Sequence, residues 1–118
     1  MESSLRDWLL GCNPWGVCMI VELPGAKCYP TQPHSFMISE KIGNTTGGLV
    51  DGPVYIGIFN SLRGVNMEGG INYMRYQPDV MVYHDSTNDY SNNEPTMDGT
   101  ACLIFPFAAY EAEAKSCK

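Results

Sequence analysis

The chain has 118 residues, 44% of them hydrophobic and only 17% charged, with a net charge of −6. That length holds one domain or part of one, and seven scattered basic residues exclude a phosphate-backbone partner, which needs clustered Lys and Arg. No apolar run approaches the about 20 residues of a membrane span, and the opening Met-Glu-Ser-Ser-Leu-Arg lacks the basic start and apolar stretch of a secretory signal.

In chain order, residues 3–11 read as the end of a helix. Ser3 or Ser4 serves as cap, Leu5, Trp8 and Leu9 share one face, and Gly11 suits the position after the last turn. Residues 12–52 carry Asn-Pro, Leu-Pro-Gly, Tyr-Pro, Gln-Pro and Gly-Gly punctuation, which predicts a long loop region of the kind that carries function. A second helix is expected from Pro53, with Val54, Tyr55, Ile58, Phe59 and Leu62 as its apolar stripe and Gly64 as its end. Residues 65–94 read as loop with a short alternating run at residues 80–83. A last helix is expected from Pro95 to about Lys115, kinked at Pro106. The expected fold class is therefore all-α, helices joined by long loops. Three such helices bury too little area to hold that much ordered loop, so they are expected to pack against polypeptide not present here.

Five cysteines, Cys12, Cys18, Cys28, Cys102 and Cys117, include no Cys-x-x-Cys, and with only two His residues they do not make a structural zinc site. Most are expected to be buried thiols, with room for one disulfide. Trp8 and Trp15 are read as core, and His84 as structural.

The chemistry concentrates in residues 83–98, Tyr-His-Asp-Ser-Thr-Asn-Asp-Tyr-Ser-Asn-Asn-Glu-Pro-Thr-Met-Asp, with four carboxylates, three Asn and two Tyr. Carboxylates beside amides and rings suit sugar recognition, because hydroxyls take hydrogen bonds and pyranose faces take rings. Glu94 stands at the start of the expected last helix. A helix N-terminus favours its carboxylate form, whereas neighbouring acids and desolvation favour the protonated form a general acid needs. A solvated acidic loop with a helix cap is the plain alternative. An EF-hand is excluded, since Tyr90 stands where the sharp-turn Gly belongs and Thr96 where the bidentate Glu belongs. An irregular calcium site around Asp85 and Asp89 stays open; no other cofactor is expected.

Four segments resemble glycoside hydrolase family 9. Tyr83, Asp85, Tyr90 and Glu94 fill a pattern aromatic-x-Asp-x4-aromatic-x3-Glu similar to that family's C-terminal active-site signature. Leu9-Leu10-Gly11-Cys12-Asn13-Pro14-Trp15-Gly16 resembles its Leu-Leu-Gly-x-Asn-Pro-x-Gly segment, Pro33-His34 falls at its Pro-His-His-Arg loop, and residues 47–53 resemble its Gly-x-Leu-Val-x-Gly-Pro stretch. The order is the family's, across residues 9–98.

The resemblance implies the C-terminal part of an (α/α)6 barrel that cleaves β-1,4-glucosidic bonds with inversion, acting on a polysaccharide or oligosaccharide. It implies Glu94 as general acid, Asp85 as a supporting carboxylate, and His34 and Tyr90 as substrate contacts. The family's base, in an Asp-Ala-Gly-Asp segment, has no counterpart in this chain, so the partner needed for catalysis is the remaining N-terminal part of the barrel, and the isolated chain is expected to be inactive. A secreted or periplasmic location is implied by analogy. Phe36 and Thr87 stand where Arg residues are usual, and Glu22 replaces a small residue, which puts cellulose-chain specificity in question. Two other readings remain: a non-catalytic carbohydrate-binding module, and a structural calcium-binding fragment.

Overall fold

The computed structural model describes residues 2–65 and 69–116. Its helices are α1 (Glu2–Leu9), α2 (Phe36–Ser39), α3 (Ile56–Phe59) and α4 (Met97–Ser116), with a 3-10 turn at Met74–Tyr76. Four short strands, β1 (Val54–Tyr55), β2 (Ile71–Asn72), β3 (Met81–Val82) and β4 (His84–Asp85), form two antiparallel ribbons, β1 with β3 and β2 with β4. The registers are Val54 against Val82 and Ile71 against Asp85.

The all-α expectation is overturned, and with it the reading of the chain as a stretch of helical barrel. Two of the four helices span only four residues each, and much of the rest is extended backbone tied by hydrogen bonds. The helix expected from Pro53 gives way to a strand pairing. Val54 is β-branched and Tyr55 aromatic, both good strand formers, and the ladder to β3 takes them before α3 can start. The loop expected over residues 12–52 conceals an extended core segment. Val17, Cys18, Met19, Ile20 and Val21 are all buried, covered on both faces, so no alternation marks them as extended. Residues 19–21 run antiparallel to residues 47–50, through Val50 N–H to Met19 O (3.0 Å), Val21 N–H to Gly48 O (3.0 Å) and Gly47 N–H to Val21 O (2.8 Å).

The core gathers Trp15, Val17, Met19, Val21, Val50 and Tyr83, with Trp8 and Leu9 of α1 packed against it, as the sequence places both Trp residues. Ser3 and Ser4 lie inside α1 rather than capping it. Its far end closes as expected at Gly11 (φ +118°), where Cys12 N–H bonds Asp7 O (2.8 Å) and Gly11 N–H bonds Trp8 O (3.2 Å), the paired bonds of a Schellman cap. The cysteines depart from expectation: Cys18 is buried, Cys12, Cys28 and Cys102 are exposed, all four are free thiols, and Cys117 lies outside the described residues.

Helix α4 begins two residues later than Pro95 and continues through Pro106. None of its residues is fully buried; Met97 is 89%, Ile104 69% and Phe105 83% exposed. It touches α1, with the Arg6 guanidinium 5.1 Å from the Tyr110 ring centroid. The accessible surface is 7705 Å², against about 6,300 Å² for a compact monomer of this mass. The radius of gyration is 15.0 Å, against about 13.5 Å expected for this length. Met97, Ile104 and Phe105 are among the large apolar side chains this surface leaves exposed.

Candidate functional site

Residues 92–95 run between two other segments. On one side His34 N–H donates to Asn93 O (2.8 Å). On the other, Gly52 N–H donates to Asn92 O (2.8 Å), Asp51 N–H to Glu94 O (3.1 Å), and Val50 bridges Pro95. Two segments far apart in sequence, at His34 and at residues 50–52, thus converge on the stretch that holds Asn93 and Glu94.

Beneath them lies a buried network. Asp85 is fully buried, and each of its oxygens takes two donors. Oδ2 accepts from Thr31 N–H (2.8 Å) and Thr31 Oγ1–H (2.9 Å), and Oδ1 from Gln32 N–H (2.9 Å) and Asn93 Nδ2–H (2.8 Å). The Asn93 carboxamide also donates to Gln32 O (2.7 Å) and accepts from the Tyr83 hydroxyl (3.0 Å). Burial, with Asp85 nearby, pushes the Tyr83 phenol far above its ordinary range, so it stays a donor. Tyr83 is held in turn by Gln77, whose Oε1 accepts from Tyr83 N–H (3.0 Å) and Trp15 Nε1–H (2.6 Å) and whose Nε2–H donates to Tyr83 O (2.6 Å).

The spacing of the signature now has a physical content. Tyr83 and Asp85, two residues apart on an extended run, grip the two ends of the Asn93 carboxamide, and Asn93 fixes the backbone that carries Glu94. Asp85 is therefore a buried brace with no oxygen free for a substrate.

A second brace fixes the turn. Asp89 is fully buried; its Oδ1 accepts from Ser91 N–H (2.9 Å), Ser91 Oγ–H (2.7 Å) and Asn92 N–H (3.0 Å), and its Oδ2 from Asn92 Nδ2–H (2.9 Å). His84 completes it, with Nδ1 3.2 Å from Asp89 Oδ2 and Nε2 2.6 Å from Gly69 O. Both ring nitrogens face acceptors, which only the imidazolium satisfies. Burial works against that charge, but the bonds to Asp89 and Gly69 outweigh it and raise the His84 pKa. Burial likewise opposes the Asp89 charge, and the bonds from His84, Ser91 and Asn92 outweigh it and lower the Asp89 pKa. A calcium ion at Asp85 and Asp89 would have to displace donors from all four oxygens.

His34 and Tyr90 come together on the surface side, ring centroids 6.2 Å apart and edge to face. His34 Nδ1 sits 2.6 Å from Thr87 O, which fixes the proton there in the neutral ring and leaves Nε2 as an acceptor. Tyr90 is 40% exposed, its hydroxyl donating to Arg63 O (3.3 Å). Phe36, 73% exposed, opens α2 two residues beyond His34.

Glu94 itself is exposed. The residues that follow it, Pro95, Thr96 and Met97, line an open groove of about 490 Å³ with Gly47, Gly48 and Ile104. Asp51 stands beside it. Burial pushes the Asp51 carboxyl up, the charges of Glu94 and Asp98 push it further, and a bond from the Thr96 hydroxyl opposes them.

The structure thus brings Asp85 and Glu94 to opposite ends of one short network, and His34 and Tyr90 into ring contact beside it. Sequence reasoning missed Asn93, Gln77 and Asp51 as organising groups. Asp89 followed by Ser91 and Asn92 was the one readable signal, since that pattern builds a side-chain-to-backbone turn. The Asn-Pro segment is also structural: Asn13 Nδ2–H donates to Trp8 O (2.8 Å) and Val17 O (2.7 Å), stapling the end of α1 to the core segment.

The family model of Glycosyl hydrolase family 9 matches residues 1–107. No curated protein and no solved structure matches the chain.

Proposed function

The chain belongs to glycosyl hydrolase family 9, and from that premise we propose that it supplies the general acid, Glu94, for inverting hydrolysis of a β-1,4-glucosidic bond. Inversion needs a protonated carboxyl on the leaving oxygen and a second carboxylate about 6.5–9.5 Å away to activate water. Asp85 is too deeply buried and too fully hydrogen-bonded to be that second group, so its role is to brace Asn93 under the acid. The base comes from polypeptide outside this chain, and the 118 residues alone do not turn over substrate.

One observation carries the reading: Glu94 is exposed, next in sequence to the residues that line an open groove, while its backbone is tied from both sides and from beneath. An acid must reach the substrate without wandering, and this arrangement gives a free carboxyl on a fixed main chain. A surface cap of no function needs no such support. His34 Nε2 offers an acceptor to a sugar hydroxyl, and the Tyr90 ring offers an apolar face to a pyranose. The substrate class is a β-glucan or a related polysaccharide, met outside the cytoplasm. Among the described residues no helix is long and apolar enough to cross a membrane.

The reading is tested by joining the chain to the family's base-bearing segment and following hydrolysis of cello-oligosaccharides by proton NMR. The α-anomer should appear first, and the chain without that segment should release no sugar. Hydrolysis with first appearance of the β-anomer, or full activity from the chain alone, would contradict it.

A further inference from the structure

A second hollow adjoins the groove that follows Glu94. It encloses about 160 Å³ between three stretches of chain, with Glu22 on the first, Tyr29, Thr31 and Pro33 on the next, and Asn44 and Thr45 on the third. Thr45 also lines the open groove beside Pro95 and Thr96, so the two hollows share a wall. The middle stretch is tied to the buried network. Thr31 reaches Asp85 Oδ2 through its N–H (2.8 Å) and its hydroxyl (2.9 Å), and Pro33 precedes His34, whose N–H bonds Asn93 O (2.8 Å). The bonds that fix the main chain before Glu94 thus also fix this hollow.

Glu22 is its unusual member. Its backbone lies in the left-handed region (φ +52°), which strains a residue with a β-carbon and suits glycine. The bonds around it, Gly47 N–H to Val21 O (2.8 Å) and Val21 N–H to Gly48 O (3.0 Å), would form equally with glycine at 22. What glutamate adds is a carboxylate at the edge of the hollow. Its Oε2 accepts the Thr46 hydroxyl, and among the described residues Oε1 takes no bond and no ion pair engages the group. In the shared wall the Thr45 hydroxyl is buried without a partner, which is rare in a folded chain. Strain kept at one side chain and a polar group left unpaired beside it are marks of a site rather than of packing.

We propose that this hollow is a sugar subsite of the same cleft, and that Glu22 is its binding residue, accepting hydroxyls of a neutral pyranose remote from the bond at Glu94. The proposal rests on the reading of the chain as a glycan-cleaving one, and it adds where the glycan is gripped away from the acid. A carboxylate only accepts, and the partner Glu22 already holds is a neutral hydroxyl. Tyr29 and Pro33 give the hollow apolar surface, and Glu22 and Asn44 give it polar groups. A pyranose needs both, since its edge carries hydroxyls and its faces carry C–H groups. A metal ion is the poorer occupant: among the described residues no group of three or more acidic, His or Cys side chains gathers to hold one.

The test titrates the nitrogen-15-labelled 118-residue chain with cellopentaose, follows the backbone amides by NMR, and needs no turnover. The amides of Glu22, Asn44 and Thr45 should shift along with those of Glu94 and Thr96. Glu22→Gly removes the carboxylate and should weaken binding by about tenfold, the loss of hydrogen bonds to an exposed charged group. Its melting temperature should hold or rise, because glycine relieves the left-handed backbone. Glu22→Gln keeps the backbone and an acceptor for Thr46, and should weaken binding by about threefold. A glutamate that serves only the fold behaves the other way, with a lower melting temperature in Glu22→Gly and the parent's affinity. No shift at Glu22, Asn44 and Thr45 overturns the proposal, as does unchanged affinity in Glu22→Gly or, where that variant does not fold, in Glu22→Gln. The anomer experiment is independent of this outcome: a subsite without hydrolysis would remove the acid role and leave Glu22's part, whereas hydrolysis with Glu22 variants that bind like the parent would remove Glu22's part alone.

Discussion

Replacing Asp85 by Ala should be among the most damaging changes in the chain, although the residue touches no substrate. Four donors lose their acceptor: Thr31 N–H, Thr31 Oγ1–H, Gln32 N–H and Asn93 Nδ2–H. Thr31 is exposed and regains water cheaply, but Asn93 is fully buried and keeps the Gln32 carbonyl (2.7 Å) and, at a long 3.5 Å, the Ser86 carbonyl. Hydrogen bonds to a charged group contribute about 1.5–3 kcal/mol each, and a buried donor left without a partner costs about 1–3 kcal/mol. Allowing for rehydration of the outer two, the sum is about 3–5 kcal/mol, a large part of the about 5–15 kcal/mol that holds a small domain together. Asp85→Asn, which keeps one acceptor oxygen, should cost about half as much. Urea unfolding followed by the fluorescence of the buried Trp15 gives both values. At a slope of about 1.5 kcal/mol per molar urea, the Ala midpoint should fall by about 2 M or more. The His34 amide, bonded to Asn93 O, should lose its protection from hydrogen exchange in the same variant. A midpoint within about 0.3 M of the parent would refute the network as the support of the loop that carries Glu94.

The His84–Asp89 pair should give the chain a stability maximum in mildly acidic solution. His84 is raised above 6.5, so its contribution is complete below that value and is lost as pH climbs through its folded pKa; Asp89 is lowered below 3.8, so its contribution is complete above that value and is lost as pH falls through its folded pKa. Thermal melts from pH 3 to 9 should show the plateau between them, and His84→Gln should remove the alkaline decline; an unchanged decline would place its cause elsewhere. Gly70 (φ +75°) has no room for a β-carbon, which would overlap Asp85 O and crowd Ser86, so Gly70→Ala should cost about 2 kcal/mol or more in urea unfolding. Phe105, 83% exposed on α4, should tolerate Phe105→Gln within about 0.5 kcal/mol while lowering self-association in sedimentation; a larger loss of stability would mean that α4 is packed.

The sequence was readable where local chemistry decides the outcome. Gly11 ends α1, Trp8 and Trp15 enter the core, and Glu94 stands near the start of the last helix, each for a reason contained within a few residues. It was unreadable where distant segments decide. The run at residues 17–21 is apolar on every position, and only the arrival of residues 47–50 makes it extended. Val54 and Tyr55 fit a helical stripe equally well until β3 claims them. The site divides in the same way. Spacing singled out Tyr83, Asp85, Tyr90 and Glu94, but nothing in that spacing says that Asn93 is the piece they grip. Gln77 and Asp51 carry no pattern, because their partners lie across the fold.

The central claim is that the Glu94 carboxyl delivers a proton to the leaving oxygen. Its most direct test, in the chain joined to the base-bearing segment, is the turnover of Glu94→Gln on two substrates that differ only in the leaving group. With an unactivated cello-oligosaccharide, turnover should fall by about 10²–10⁴-fold, the usual worth of general acid catalysis. With a dinitrophenyl glycoside, whose leaving group departs without a proton, most of it should survive. Equal losses on both substrates, or no loss on the oligosaccharide, would contradict the claim.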